Sequence, residues 1–443
     1  MSERPDLQHL TDEELEAELA RRRAARPGVA DGYALELALE TEGHAWVTRR
    51  LDAFFAAREA AQTTAWQPCP RCGRRCRVRC KWVPRTIRSL HGTHTIRRHY
   101  HVCQACQQGW YPLDAALGWP EDGELTARLE EVVLDLGLQG PFEEAAERFA
   151  VHHRGTVSEN LVRRVVDRVG RAAATCPDLG ARLRPPARTP PSTLIVQLDG
   201  SMLPTRGPDP WREAKVGLVA RHDHMVTNKG RGLITEARFI ARVGAPVGFK
   251  QAVAEALTLE RAEDCDRIVV VGDGAPWIWA LADEVCPTAI QVLDYPHAVQ
   301  HATAAAEVLF PAGSGLDRLF VATIERYLQA GAIETLLRDL EACLFGTRGR
   351  DRIALRDLLR YYRTHRNRMR YDRFRAWGLP CGSGAIESAH RHVLQKRMKL
   401  AGQHWNPERA DRLAQLRAAL ATCGPSRLYA VVRSDLRPTG SNN

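Results

Sequence analysis

The chain reads as a multidomain α+β protein: a cysteine-paired β-hairpin segment and a helical segment come first, and an α/β region follows. Three observations lead there. Two CxxC pairs, Cys69-Pro70-Arg71-Cys72 and Cys103-Gln104-Ala105-Cys106, bracket 30 residues of partly alternating character. Two apolar, β-branched runs, Leu194 to Leu198 and Ile268 to Val271, read as short buried strands, with Asp199 and Asp273 at their ends. A chain of 443 residues also exceeds what a single hydrophobic core supports.

Composition narrows the class. The hydrophobic fraction of 44% is ordinary for globular protein, and no apolar run reaches the length of a membrane span. The start, Met1-Ser2-Glu3-Arg4, has no signal-peptide pattern, so a cytoplasmic location and no membrane partner are expected. Twelve cysteines in such a chain point to metal ligands and buried thiols rather than disulfides. The net charge of +10 is segregated. Residues 69–110 carry nine Arg and one Lys with no acid, and residues 348–375 carry eleven Arg against three Asp. Blocks of this kind fit a polyanion such as nucleic acid; a solvated surface face is the alternative.

Taken in order, residues 1–62 form a helical segment. Thr11 with Glu14 makes a capping-box pattern, Pro27-Gly28 breaks the first helix, and a second runs from about Tyr33 to Ala61. Leu35, Leu39, Trp46, Leu51 and Phe54 are its candidate core positions. Residues 66–113 hold the two cysteine knuckles and a hairpin turning near His91-Gly92. Four thiolates from Cys69, Cys72, Cys103 and Cys106 give Zn2+ its tetrahedral shell, which predicts a structural zinc ribbon; Cys76 and Cys80 are spare thiols or replacement ligands. Residues 124–175 read as three helices, the last two joined as in a helix-turn-helix, with Arg163, Arg164 and Arg168 on the third. A plain three-helix bundle fits the same pattern.

The stretch Pro185 to Pro191 is a stiff linker. Strands are expected near 193–199, 214–221, 235–241, 267–272 and 289–293, and mostly helix thereafter. Glu213 and Lys215 read as strand-surface residues. Glu387 falls in a late helix, Gly384 to Arg391, where the bland alternative is a pair with Arg391. Two strand-end acids and one helical acid can converge on a pair of magnesium ions, which clamp the attacking and leaving oxygens of a phosphodiester.

Five motifs occur in sequence: Asp199-Gly200-Ser201, Trp211 to Gly217, Asp273 to Trp279, Leu293-Asp294-Tyr295-Pro296-His297, and Gly382 to Ser388 continuing through Lys399 to Trp405. Together they resemble bacterial insertion-sequence transposases of the DDE type, the Kra group with its Mutator-like relatives, over about residues 66–425. The resemblance implies an RNase H-like catalytic core over 192–305 and 379–425, interrupted by an Arg-rich helical insertion at 306–378. It implies that Asp199, Asp273 and Glu387 bind Mg2+ (or Mn2+), with His297 of the Asp-x-x-His pattern near the reaction. A core or capping role for His297 stays open. The substrate implied is double-stranded DNA, both element ends and target, engaged by a homodimer or higher homo-oligomer at the nucleoid. Candidate DNA contacts are Arg163, Arg164, Arg363, Arg366, Arg370, Arg391, Arg397 and Lys399, with Trp405 either a base-stacking or a core residue.

Two other classes compete. One is an RNase H-like nuclease or resolvase that cuts without joining. The other is a domesticated DNA-binding regulator, against which the three intact acids argue. A phosphate-cradling NTPase is excluded, because GxxxxGK[ST] does not occur.

Overall fold

The computed structural model describes residues 11–24, 31–119, 123–228 and 231–435. They form a mixed α+β protein that divides into two compact units between Leu129 and Glu130. No helix among the described residues is long and apolar enough to cross a membrane.

The first unit begins with helices α1 (Asp12–Ala24) and α2 (Gly32–Ala60). The capping box forms, with the Thr11 backbone N–H donating to Glu14 at 2.7 Å and the Glu14 N–H to Thr11 Oγ1 at 3.4 Å. The Pro27-Gly28 break lies outside the described residues. On α2 the expected core positions hold in part: Leu51 packs against the core, and Leu39 and Trp46 are half-buried. Phe54 and Leu35 are exposed, and Phe55 is the buried aromatic, packed with Ile87, Ile96, Leu113 and Trp119. Two adjacent phenylalanines point about 100° apart on a helix, and packing chooses between them.

The cysteine segment comprises β1 (Gln67–Pro68) paired with β2 (Arg75–Cys76), then β3 (Val78–Ser89), β4 (Gly92–Val102) and β5 (Gly109–Trp110) in one antiparallel sheet. The hairpin turns where it was expected. A short helix, α3 (Pro112–Ala116), follows.

Helix α4 (Ala127–Gln139) crosses the division and leads into α5 (Phe142–His152), α6 (Glu159–Thr175) and α7 (Leu179–Leu183). Ser158 caps α6 by accepting from the Leu161 N–H. Val162, Val165, Val166 and Val169 bury one face of α6.

The second unit is centred on a five-stranded sheet built from β6 (Thr193–Pro204), β7 (Trp211–Arg221), β10 (Arg238–Val243), β11 (Arg267–Gly272) and β12 (Ile290–Leu293), in the order β10-β7-β6-β11-β12. A small hairpin, β8 (Met225–Asn228) with β9 (Arg231–Ile234), stands apart from it. The β10-β7-β6 pairings are antiparallel; β6-β11 and β11-β12 are parallel. Helix α8 (Pro246–Leu259) covers one face. Its Phe249 lies against Leu198 and Gly217, where a Cβ on the glycine would sit 3.1 Å from the phenyl ring. Helix α9 (Pro276–Val285) follows β11, and α10 (Tyr295–Leu309) follows β12.

Helices α11 (Leu316–Gln329), α12 (Ile333–Cys343), α13 (Gly349–His365) and α14 (Tyr371–Ala376) occupy the expected insertion and share one core with the sheet. Then come α15 (Gly384–His390), a π-helical turn over residues 391–395, α16 (Lys396–Met398) and α17 (Pro407–Asp435), which kinks at Gly424. The late helix is therefore interrupted. The wide turn changes which side chains share a face beyond His390.

Candidate functional site

Parallel pairing aligns the acids. Val271 lies opposite Gln197, and Gly272 opposite Leu293. Carried forward in the same register, Asp199, Asp273 and Asp294 fall at one level on three adjacent strands. Asp273 follows β11 directly, and Asp294 follows β12. Asp199 departs from expectation. It does not end its strand, because β6 runs on to Pro204, paired with β7 as far as Trp211. The ladder continues through Gly200 and Pro204, residues that read as turn formers, because β7 supplies a full antiparallel partner.

Helix α15 delivers the third acid. Two buried side chains fasten its start. Gln197, 2% exposed, donates to the Gly382 carbonyl at 3.2 Å and accepts from the Ile386 N–H at 3.0 Å. Asp294, 0% exposed, accepts from the Ser383 N–H at 2.8 Å. Glu387 is exposed on the next turn, 3.3 Å from Ser383 Oγ. Asp199, Asp273, His297 and Glu387 then line one cavity of about 270 Å3, together with Gln300 and Ser383.

Asp294, buried beside the cavity, forms with His297 and Glu387 a group of donor atoms within 4.8 Å of one another. Asp294 is nevertheless a poor ligand. Its Oδ2 already accepts from the His297 Nδ1 at 2.5 Å and from the His297 N–H at 3.2 Å, and its Oδ1 from Ser383. It orients the imidazole and caps α10. Asp199, Asp273 and Glu387 present a hard oxygen set suited to a divalent ion, although Asp199 also accepts from the Gly200 N–H at 2.7 Å and from His390 Nδ1 at 2.6 Å. The hydrogen bond to Asp294 raises the His297 pKa against the opposing effect of burial. Asp294, Asp273 and Glu387 add to it by their charge.

His390, one turn beyond Glu387, carries a role that sequence reading missed. It is 2% exposed; Nδ1 lies 2.6 Å from Asp199 Oδ2 and Nε2 lies 2.6 Å from Ser201 Oγ. A carboxylate accepts, so Nδ1 donates to it and Nε2 accepts from the serine hydroxyl. Gln197 was missed likewise. The available signal was its spacing, two residues before Asp199 on the same strand face.

The basic candidates separate by exposure. Arg164, Arg363, Arg366, Arg391 and Lys399 are exposed, with Arg363 paired to Glu341 at 2.7 Å. Arg163 is half-buried beside Asn160, and Arg370 is half-buried. Arg168 pairs with Glu130 at 2.5 Å. Arg397 cannot contact DNA. It is 1% exposed, donates to the Gly137 carbonyl at 3.2 Å, and lies between the rings of Phe142 and Trp405. Trp405 is half-buried and donates to the Met398 carbonyl at 2.9 Å, a packing role. Lys215 is also no surface residue. It is 4% exposed, bonded to Glu213, and lies 5.1 Å from the Trp277 ring.

In the first unit, Cys69, Cys72, Cys103 and Cys106 converge. Sγ atoms of Cys69 and Cys106, and of Cys72 and Cys103, are 3.5 Å apart, and all four lie within 4.8 Å. Knuckle backbone amides turn toward the sulfurs. The Cys106 N–H, then the Ala105 N–H, bring the Cys103 thiol down to about 6 against burial. Four such sulfurs suit a tetrahedral thiophilic metal. Cys76 is buried beside the cluster and donates to the Arg74 carbonyl, and Cys80 is exposed.

Among known families, the model of an uncharacterised protein family, UPF0236, matches residues 70–426, a span that includes every acid of the cavity. No curated protein matches the chain.

Proposed function

This chain belongs to the UPF0236 family, and we propose that it is a DDE transposase that cuts and joins DNA strands at the ends of a mobile element. One observation carries the reading: Asp199 and Asp273, from adjacent parallel strands, share a single cavity with Glu387 from a late helix. The five-stranded mixed sheet, with its acids at the carboxyl ends of the parallel strands and a helical insertion before α15, supports an RNase H-like core.

Asp199, Asp273 and Glu387 would hold Mg2+ (or Mn2+), which when bound activates the attacking oxygen and neutralises charge at the scissile phosphate. The chain's own groups do the rest. His390 fixes the rotamer of Asp199, and Asp294 fixes the ring of His297. With Nδ1 so engaged and its pKa raised by the hydrogen bond to Asp294, His297 leaves Nε2 to face a phosphate oxygen. The four cysteines would hold Zn2+ as a structural site. The α5–α6 pair would serve as the helix-turn-helix, and Arg164, Arg363, Arg366, Arg391 and Lys399 as phosphate contacts, in a homodimer or larger assembly on DNA.

The test uses duplex DNA from the sequence flanking the gene, incubated with Mg2+ and scored for nicking and for strand joining. Asp199→Asn, Asp273→Asn and Glu387→Gln are each expected to lose cleavage by about 10³-fold. Binding without added metal should change by less than about threefold, since phosphate contacts carry it. Full cleavage by any one of the three variants overturns the reading.

A further inference from the structure

A second and larger cavity, of about 700 Å3, begins one residue past Asp273, at Gly274, and lies between α10 and α13. Its size falls in the ~300–1,000 Å3 range of small-molecule sites. His301, one helical turn after His297, is stacked on Tyr361 with ring centroids 3.7 Å apart and planes 22° from parallel. The imidazole is exposed, so its outer face is available to a further ring. Tyr361 is itself tied to the acidic site, since its hydroxyl donates to the Asp273 carbonyl at 3.0 Å. Gly274, at φ 107°, makes that contact possible, because a Cβ there would lie 2.9 Å from the tyrosine oxygen.

The cavity wall also holds a buried polar group. His365 is 4% exposed, and burial holds its pKa down to about 4, so the ring is neutral at pH 7. The Arg368 guanidinium faces Nδ1 at 3.4 Å, which leaves the proton on Nε2. That nitrogen lies against Gly274, where a Cβ would sit 3.3 Å from it. The rim carries the exposed Arg350 and Arg360, the latter paired with Asp357 at 3.1 Å. A flat aromatic platform with two cations at the mouth selects a ligand with a planar face and a negative charge.

We propose that this cavity holds one unpaired nucleotide of a DNA strand, its base stacked on His301 and its phosphate toward Arg350 and Arg360. The inference rests on the reading of the acidic cavity as a DNA-cutting site, which would set this nucleotide beside the scissile phosphate. Stacking a base on an aromatic ring contributes ~1–3 kcal/mol and tolerates any base.

The experiment compares three duplexes bound to the full chain without added metal: one with a single bulged 2-aminopurine, one with an abasic residue at the bulge, and one fully paired. The wild type is expected to bind the 2-aminopurine bulge most tightly, with its fluorescence quenched. His301→Ala should weaken that complex about tenfold, to the level of the abasic duplex, and leave the fully paired duplex unchanged. Ala304→Phe, which fills the cavity from α10, should do the same. Equal loss on all three duplexes, or no loss in either variant, overturns the proposal. Cleavage with Mg2+, run in parallel with Asp273→Asn, separates the two readings. Asp273-dependent cutting with no bulge preference removes the nucleotide site alone. A bulge preference that disappears in His301→Ala, with no cutting by the wild type, supports the nucleotide site and removes the cutting.

Discussion

His390 shows how one side chain can govern a carboxylate distant in sequence. It reaches Asp199 across 191 positions and holds one oxygen, so the other lone pairs keep a fixed direction. Two substitutions separate this positioning role from simple packing. An asparagine amide nitrogen lies near the place of Nδ1, and a glutamine nitrogen near that of Nε2. His390→Asn therefore keeps the bond to Asp199, and His390→Gln loses it. The Mg2+ concentration for half-maximal cleavage is expected to rise about tenfold in the glutamine variant and less than about threefold in the asparagine variant, as for outer-shell partners of metal ligands. Thermal melting of both variants checks that each is folded, and equal metal requirements would reduce His390 to a packing residue. Asp273 was legible in the sequence because it closes an apolar run, and Asp199 and Glu387 because each sits in a recognisable strand or helix. His390 was not, because nothing local marks which late histidine faces which strand. Arg397 was misread for the related reason that a basic residue just beyond the acid-bearing helix resembles a phosphate ligand until its surroundings are known. Phe142 and Trp405 enclose it.

Among the elements, α13 joins the insertion to the Asp273 loop and contains a pH-sensitive group. Burial lowers the His365 pKa from an ordinary 6.5 to about 4. The unfolded chain therefore binds more protons than the folded one between those values. The stability contributed is complete above about pH 6.5, declines as pH falls toward 4, and is flat below. The full effect is on the order of 3 kcal/mol. Urea unfolding of the wild type and His365→Gln, compared at pH 7, 5.5 and 4.5, should show the wild type losing more stability than the variant as pH falls. Parallel slopes would assign the acid sensitivity elsewhere. The strands of the second unit were legible from their β-branched runs, and helix was expected after them, while the insertion was implied only by the resemblance. The extension of β6 past Asp199 was not, since Gly200 and Pro204 signal a turn and only the pairing with β7 overrides them. The π turn after α15 was equally hidden. The buried Arg417 donates to the His392 and Val393 carbonyls in that turn. Such compensation is visible only once α17 is in place.

For the molecule as a whole, charge and metal make the testable statements. Metal analysis of the purified chain should find about one zinc per chain, and its removal by a thiol-reactive mercurial should melt the cysteine-bearing unit at lower temperature, because such a site contributes folding free energy directly. A chain with no bound metal and an unchanged melt would leave the four sulfurs as a packed thiol cluster. The arginine block of 348–375 yields a second test. Each phosphate contact adds about 0.9 to the salt slope on duplex DNA, so Arg363→Glu with Arg366→Glu should flatten the slope by about 2 and weaken binding on every sequence alike. An unchanged slope would mark these arginines as facing protein, as the Arg363–Glu341 pair already does in part. Composition made the basic blocks legible. The division into two units was not, because it falls inside α4, whose continuous helical pattern offers no break to read.

The placement of Glu387 and His390 one turn apart on α15 turns assembly of the acidic cavity into a single equilibrium. When Gln197 and Asp294 seize the start of that helix, one carboxylate arrives and another is aimed in the same motion. Loosening the helix would remove both together. Each 1.4 kcal/mol taken from the docking would cut the population of competent molecules tenfold once the undocked form predominates. Cutting would then be switched by how many molecules are assembled, and each assembled molecule would work at its full rate.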